Sequence, residues 1–158
     1  MNAPRKQISK RALSLWRVHG GISTGISVLV AIAVIILTNL FSWPIWPSLV
    51  IGAVILLEMI FSIWLIPSIR WERIRYEVRE QEIDYQYGLF IVKRTLIPMV
   101  RVQHVDTEQG PLLRKYRLAT ISISTAATVH KIPALDETEA ENLRHSISSL
   151  ARVAEDDV

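Results

Sequence analysis

The chain contains no cysteine, so it can build no disulfide, no thiolate metal site and no cysteine nucleophile. That is compatible with a cytoplasmic domain without establishing one. Charge is missing in defined places. From Ile22 to Phe41 there are 20 residues with no charge, and from Ser48 to Ile66 there are 19 among which Glu58 is the only one. A helix rising 1.5 Å per residue covers the roughly 30 Å of a bilayer's hydrocarbon core in about 20 residues. A secretory signal accounts poorly for the first stretch, because the run exceeds the usual apolar region of about 7–15 residues and no A-x-A-like site follows it. Two adjacent helices lacking a polar face would also need a much larger soluble protein around them. The reading is two transmembrane helices, at about 22–41 and 48–66.

What is present then sets the orientation. Residues 1–21 carry Arg5, Lys6, Lys10, Arg11 and Arg17 and no acid, and Arg70, Arg73 and Arg75 follow the second stretch. The connection Ser42-Trp43-Pro44-Ile45-Trp46-Pro47 is uncharged. Lys and Arg at both outer ends, with none in the turn, place both termini in the cytoplasm. Trp43 and Trp46 suit the far interface, and Trp16, Trp64 and Trp71 the near one. Pro44 and Pro47 break the helix between the spans, and Pro67 is expected to end the second. The expected layout is a basic arm over 1–21, a helical hairpin over 22–67, a soluble domain over 70–153 and an acidic tail over 154–158.

The soluble part carries 13 basic and 14 acidic residues from position 70 onward, so no basic face marks a nucleic-acid binder. The basic arm is more simply a topology signal and anionic-lipid contact. Ile83, Tyr85 and Tyr87 alternate with polar residues, the period of a half-buried strand. Arg75–Val78 reads as the strand before it, turning at Glu80-Gln81, and after a second tight turn at Gly88-Leu89 Phe90–Ile97 reads as the strand after. Val100–Val105 follows, with a phase slip at His104–Val105 that suggests a β-bulge. Leu118–Thr125 is the next strand, with Ser122, Ser124 and Thr125 toward solvent, and Val129–Ile132 the last, closed by Pro133. Asp136 and Glu139 have capping-box spacing, and Leu143, Ile147 and Leu150 form the apolar stripe of a final helix. Six antiparallel strands and one helix suggest a strongly bent sheet or small barrel with the helix plugging one side.

These runs resemble a known family. Arg75-Tyr76-Glu77-Val78, Ile83 to Phe90, Ile97 to Val105, Gly110 to Tyr116, Leu118–Thr125, Ile132-Pro133 and the 136–150 helix, in that order after two apolar helices, are similar to the YdbS-like bacterial membrane proteins. Those carry a pleckstrin-homology (PH) domain of the second bacterial type. The resemblance implies an α+β membrane protein: a two-helix transmembrane hairpin followed by a PH-like bent β-barrel of seven strands, capped by the C-terminal helix. It implies no enzyme activity and no cofactor. It also implies that a larger relative with repeated domains of the same kind is a natural partner, so a hetero-complex or self-association is expected, in the inner membrane. Envelope maintenance or stress response would follow from that location. Fold alone does not fix function.

Several residues stand out as candidates for contacts. Glu58 lies near the middle of the second span, where a carboxylate is costly. Equal counting from the turn sets it level with Val30 and Ala31, one turn from Ser27. It is read as a helix contact, either a neutral side chain bonded to Ser27 or a group facing a partner helix, in preference to a proton relay. Glu58→Gln should be tolerated if the side chain is neutral; loss of assembly with insertion intact would argue for the charge. Gly21 and Gly25, and Ser48 and Gly52, have the spacing that lets helices approach closely, within the hairpin or in a dimer. Arg114, Lys115 and Arg117, interleaved with Leu112, Leu113 and Tyr116, either meet lipid phosphates beside Arg70, Arg73 and Arg75, or form a short helical turn with charges in water. The run from Gly110 lacks the second glycine and Lys-Ser/Thr ending of a phosphate loop. His104, Asp106 and His130 have no third ligand at a recognisable spacing, so no metal is expected. No nucleophile elbow, zincin motif or carboxylate pair appears.

Overall fold

A computed structural model describes residues 4–42 and 44–156, so Trp43 and the end of the acidic tail, 157–158, lie outside the described residues. The chain forms two compact units: Trp16–Ser68, and a second that joins residues up to Leu15 with those from Ile69 onward.

The helical unit contains most of α1 (Arg11–Leu40) and a second rod made of α2 (Trp46–Ile60), a π-helical turn (Phe61–Leu65) and the start of α3 (Ile66–Arg73). Both rods are long and apolar enough to cross a membrane, and large apolar residues such as Leu29, Leu37, Leu49 and Leu56 are exposed along them. Pro67 does not end the second rod, which runs on to Arg73. Proline has no N–H to return to the carbonyl four residues back. The chain absorbs this with the π turn, in which the Ile66 N–H bonds Phe61 O, five residues back. Continuing that pattern sets the Ser62 carbonyl opposite the hydrogen-less nitrogen of Pro67. Gly20 lies against this carbonyl: a Cβ at Gly20 would stand 2.6 Å from Ser62 O.

The other unit holds seven strands among the described residues, one more than the six read from the residues. Sheet A has the order β1 (Lys6–Gln7), β2 (Arg75–Val78), β3 (Glu82–Tyr87), β4 (Lys93–Pro98), and sheet B the order β5 (Val102–Glu108), β6 (Leu118–Thr125), β7 (Val129–Asp136). All pairings are antiparallel. The domain is two sheets, not the closed barrel expected, because no ladder joins β4 to β5. The chain passes between them through a 3₁₀ turn at Met99–Arg101 that aims Met99 into the core. A further short helix, α4 (Pro111–Lys115), links β5 to β6, and α5 (Glu137–Asp156) ends the described chain.

The extra strand comes from the basic arm. Lys6 pairs with Tyr76 and Gln7 with Arg75. Ile8, Ala12 and Leu15 are buried, and the Trp71 indole N–H donates to Ile8 O at 3.2 Å. The arm read as a topology signal is thus part of the folded domain, and both apolar helices are inserted between the first two strands of its sheet.

Other boundaries move for local reasons. β4 starts at Lys93 rather than Phe90, because Gly88 at φ 134° folds the chain back and leaves Gly88–Val92 as a loop. β7 does not stop at Pro133. The register passes from Ala119↔Leu135 to Ile121↔Ile132, so Pro133 and Ala134 face one residue in a bulge, with Ala134 at φ 55°. The slip expected near His104 is present, between Val102 and His104. Ser122 is buried rather than facing solvent. Glu139 does not close a capping box; its carboxylate accepts the hydroxyl of the buried Tyr76 at 2.5 Å, and burial with this contact pushes the tyrosine pKa up.

The core is filled by Tyr76, Ile83 and Ile97 of sheet A, Ile121, Ile123, Ile132 and Leu135 of sheet B, and Ala140 and Ile147 of α5. On the outer face of sheet A, Asp84 has no exposed surface, because Arg94 is laid over it. Arg94 Nε donates to Oδ1 at 2.8 Å and Nη2 to Oδ2 at 2.5 Å. Those bonds hold the Asp84 pKa below the usual carboxylate value.

Two outcomes follow. Ile8→Ala should destabilise the domain by about 2–4 kcal/mol, as for other buried isoleucines, lowering the full chain's thermal midpoint, although the residue lies outside the region read as the domain. Arg94→Leu, which leaves Asp84 covered and unpaired, should cost about 3 kcal/mol at pH 7. Because the Asp84 pKa is depressed in the fold, its contribution is complete above the unfolded carboxylate value of about 3.9 and is lost as pH falls through the folded value. Removing both partners with Asp84→Asn/Arg94→Leu should flatten that acid limb of a stability titration.

Candidate functional site

A groove opens where the two sheets fail to join. Leu96, Ile97 and Pro98 of β4, Val100 and Arg101 of the 3₁₀ turn, and the turn joining β6 to β7 at 126–128 line a half-open cavity of about 410 Å³. Leu96, Val100 and Val129 are exposed apolar residues at or beside it. β3 pairs with one side of β4, and among the described residues no strand pairs with the other. The groove therefore lies beside backbone groups that an added strand could use. Lys93 and Pro98 stand at the ends of this edge, a charge and a missing donor that limit indiscriminate pairing.

The domain has two different ends. A row of paired residues, Gln7, Arg75, Gln86 and Arg94, crosses all four strands of sheet A. Beyond it lie Ile8, from which the chain leaves toward α1, Ile74, through which it returns from α3, and the β3–β4 loop. Sheet B has its Leu118↔Asp136 end tied to the same region, since Arg11 forms an ion pair with Asp136 at 3.1 Å. The groove sits at the opposite end of both sheets, beside Pro98 and the turn after Thr125.

The basic residues singled out in the sequence are only partly brought together. Arg114, Lys115 and Arg117 project into solvent around α4, and no ion pair engages them among the described residues. Leu112, Leu113 and Tyr116 are half-buried beneath them. The Arg117 carbonyl accepts the Glu137 N–H at 3.2 Å, which places this turn at the connection end. Arg70 is exposed and Arg73 half-exposed in the last turns of α3, the Arg73 carbonyl accepting Gln86 Nε2 at 3.4 Å, while Arg75 is committed to β2.

In the helical unit Glu58 bonds Ser23, not Ser27: Ser23 Oγ donates to Glu58 Oε1 at 3.0 Å. Equal counting from the turn, which set Glu58 level with Val30 and Ala31, missed by about two helical turns. Gly21, Gly25 and Gly52 have nothing within 4 Å of where a Cβ would stand, so none of them is the site of close approach within the hairpin. That site is Gly20 with Thr24, whose hydroxyl donates to Gly20 O at 3.0 Å and lies 3.4 Å from Ser62 Oγ. Ser48 is half-buried near the start of α2. The sequence signal for the true contact was the Gly20–Thr24 spacing itself, which the adjacent Gly21–Gly25 pair masked. The groove had no signal in the residues, where Leu96 reads only as part of the Phe90–Ile97 strand.

Comparison with known proteins agrees with this architecture. The family model described as Bacterial PH domain matches residues 18–151, taking in both apolar helices as well as the sheets. The chain is 56% identical over 155 residues to the UPF0699 transmembrane protein YdbS of Bacillus subtilis (strain 168), covering 98% of each. It is 28% identical over 94 residues to the UPF0699 transmembrane protein YdbT of the same organism, a match covering 56% of this chain and 19% of that one. No solved structure matches significantly. Two helices fit to cross a bilayer, the two-sheet domain with its terminal helix and these relatives lead to one assignment: the chain belongs to the bacterial PH-domain family and is a transmembrane protein of the YdbS kind.

Proposed function

We propose that this protein is a non-enzymatic, membrane-anchored interaction module. Its two apolar helices cross the inner membrane as a hairpin, with both termini cytoplasmic, and its PH domain offers the groove beside β4 to an extended segment of a protein partner. The observation that carries this reading is the unpaired β4 edge alongside an apolar cleft, at the end of the domain away from the chain connections. An added strand gains main-chain bonds from the edge and side-chain pockets from the cleft. Support for the topology comes from the ladder: β1 precedes both helices and β2 follows them, so their pairing requires an even number of crossings. The resemblance supplies the partner class, a larger membrane protein carrying domains of the same kind. Envelope maintenance or stress response fits that location.

A second reading, anionic-lipid binding by the domain, is favoured by the solvent-projecting Arg114, Lys115 and Arg117 at the connection end. The two are separated by purifying the full-length chain in mild detergent, with a photo-crosslinking residue at Leu96 or Val100 and a control at Glu141 on α5. A discrete membrane-protein adduct from the groove positions, absent at Glu141 and, for the probe at Leu96, abolished by Val100→Asp, is the expected result. A monomer carrying only lipid, with bound anionic lipid lost when Arg114, Lys115 and Arg117 are all changed to Ala, would sink the partner reading and leave the lipid one.

A further inference from the structure

The loop at Gly88–Val92 combines two properties that rarely meet in a domain standing free in water. Phe90 is 87% exposed and Ile91 75%, more than any other large apolar residue described, the apolar helices included. The loop is also conformationally fixed. Tyr87↔Lys93 closes the β3–β4 ladder beneath it, and at Gly88, φ 134°, a Cβ would fall 2.0 Å from the Ile91 carbonyl oxygen. Phe90 and Ile91 are therefore held outward on a defined turn. Such exposure of bulky apolar side chains marks a contact surface.

The position of the loop says what it contacts. It lies beyond the Gln7, Arg75, Gln86, Arg94 row, at the end where the chain departs through Ile8 and returns through Ile74. Both connections lead within a few residues to helices long and apolar enough to span a bilayer. The chemistry around the loop is that of an interfacial anchor. Tyr87 and Lys93 face each other at its base, and Arg70 and Lys10 are exposed on the two connecting segments. Aromatic rings and cations at headgroup level, beneath bulky apolar tips, match the bilayer interface.

We infer that the β3–β4 loop is a second membrane anchor: Phe90 and Ile91 enter the headgroup–acyl boundary while Tyr87 and Lys93 sit among the headgroups. The anchor holds the domain in one orientation on the leaflet, which a two-segment tether alone leaves free. It uses neither the groove nor the α4 cations, and rests only on the proposed crossing of the membrane by the two apolar helices.

The absence of cysteine makes the test direct. Ile91→Cys and Phe90→Cys in the full chain, each carrying an environment-sensitive NBD label, are reconstituted into phosphatidylcholine vesicles with and without phosphatidylglycerol. Val129→Cys, exposed at the far end, is the reference. The expected result is blue-shifted emission at positions 90 and 91. It should be accompanied by quenching several-fold stronger than at 129 from nitroxides placed at shallow acyl positions. Emission and iodide quenching equal to those at 129 would overturn the inference. A blue shift without quenching by nitroxide lipids would also overturn it, and would assign the loop to a protein surface or a second copy of this chain.

Discussion

Two residue pairs, Lys6↔Tyr76 and Gln7↔Arg75, close the domain across everything from Ile8 to Ile74. That ladder is short, and it does not act alone. Ile8, Ala12 and Leu15 continue from it into the core, Trp71 bonds the Ile8 carbonyl, and Arg11 reaches Asp136 at the start of α5. The insertion costs less than its length suggests. Loop-closure entropy grows only with the logarithm of length, and two helices side by side return the chain toward its starting point. Helix pairing inside the insertion and strand pairing outside it are thus mutually supporting. The contacts that set the helix pair are Ser23 with Glu58 and Gly20 against Ser62.

The same constraint polarises the domain. Both chain connections leave one end of sheet A, and the groove opens at the other end of the sheets. The structure follows this division. The cations of α4 and the apolar β3–β4 loop occur at the connection end, and the groove beside β4 at the other. Buried polar groups join the pieces between them. Tyr76 ties β2 to α5 through Glu139, and Asp84 with Arg94 fastens β3 to β4 on the outer face.

Much of this was legible in the residues, and the failures have physical causes. Period-2 alternation located β3 and β6 and, with its phase slip, the first half of β5, which begins at Val102 rather than Val100 and runs on to Glu108. β2 was placed only as the strand before β3, and the apolar runs located both helices. The arm was misread because two strand residues and three buried apolar positions are too few to show a period, while five cations without an acid give a strong topology signal. Phe90-Ile91-Val92 looked like a strand because composition favours one. The tight turn expected at Gly88-Leu89 is present, but with Gly88 at φ 134° it runs on through Val92 before the strand begins. Pro67 and Pro133 were both taken as terminators. Each is instead accommodated, by a π turn and by a bulge, devices that propensity does not reveal. The Glu58 partner was displaced from Ser27 to Ser23 because helix register depends on where Gly20 permits close approach, which counting from the turn ignores.

The missing ladder between β4 and β5 bears most on function. A closed barrel would have no edge to offer and would leave the domain only its loops. Here the 3₁₀ turn at Met99–Arg101 carries the chain from one sheet to the other while burying Met99, so the sheets share a core without sharing an edge. The cost is an unpaired β4 edge and exposed Leu96, Val100 and Val129 beside a cleft. In a soluble protein free to diffuse, that combination invites aggregation. In the membrane-anchored arrangement proposed above, a domain held to a bilayer from its other end diffuses in two dimensions and meets proteins of the same membrane at a raised local concentration. Pro98 and Lys93 further restrict the edge to a short stretch. An edge that would be a hazard in solution becomes usable for recognition once the rest of the chain decides which neighbours can reach it.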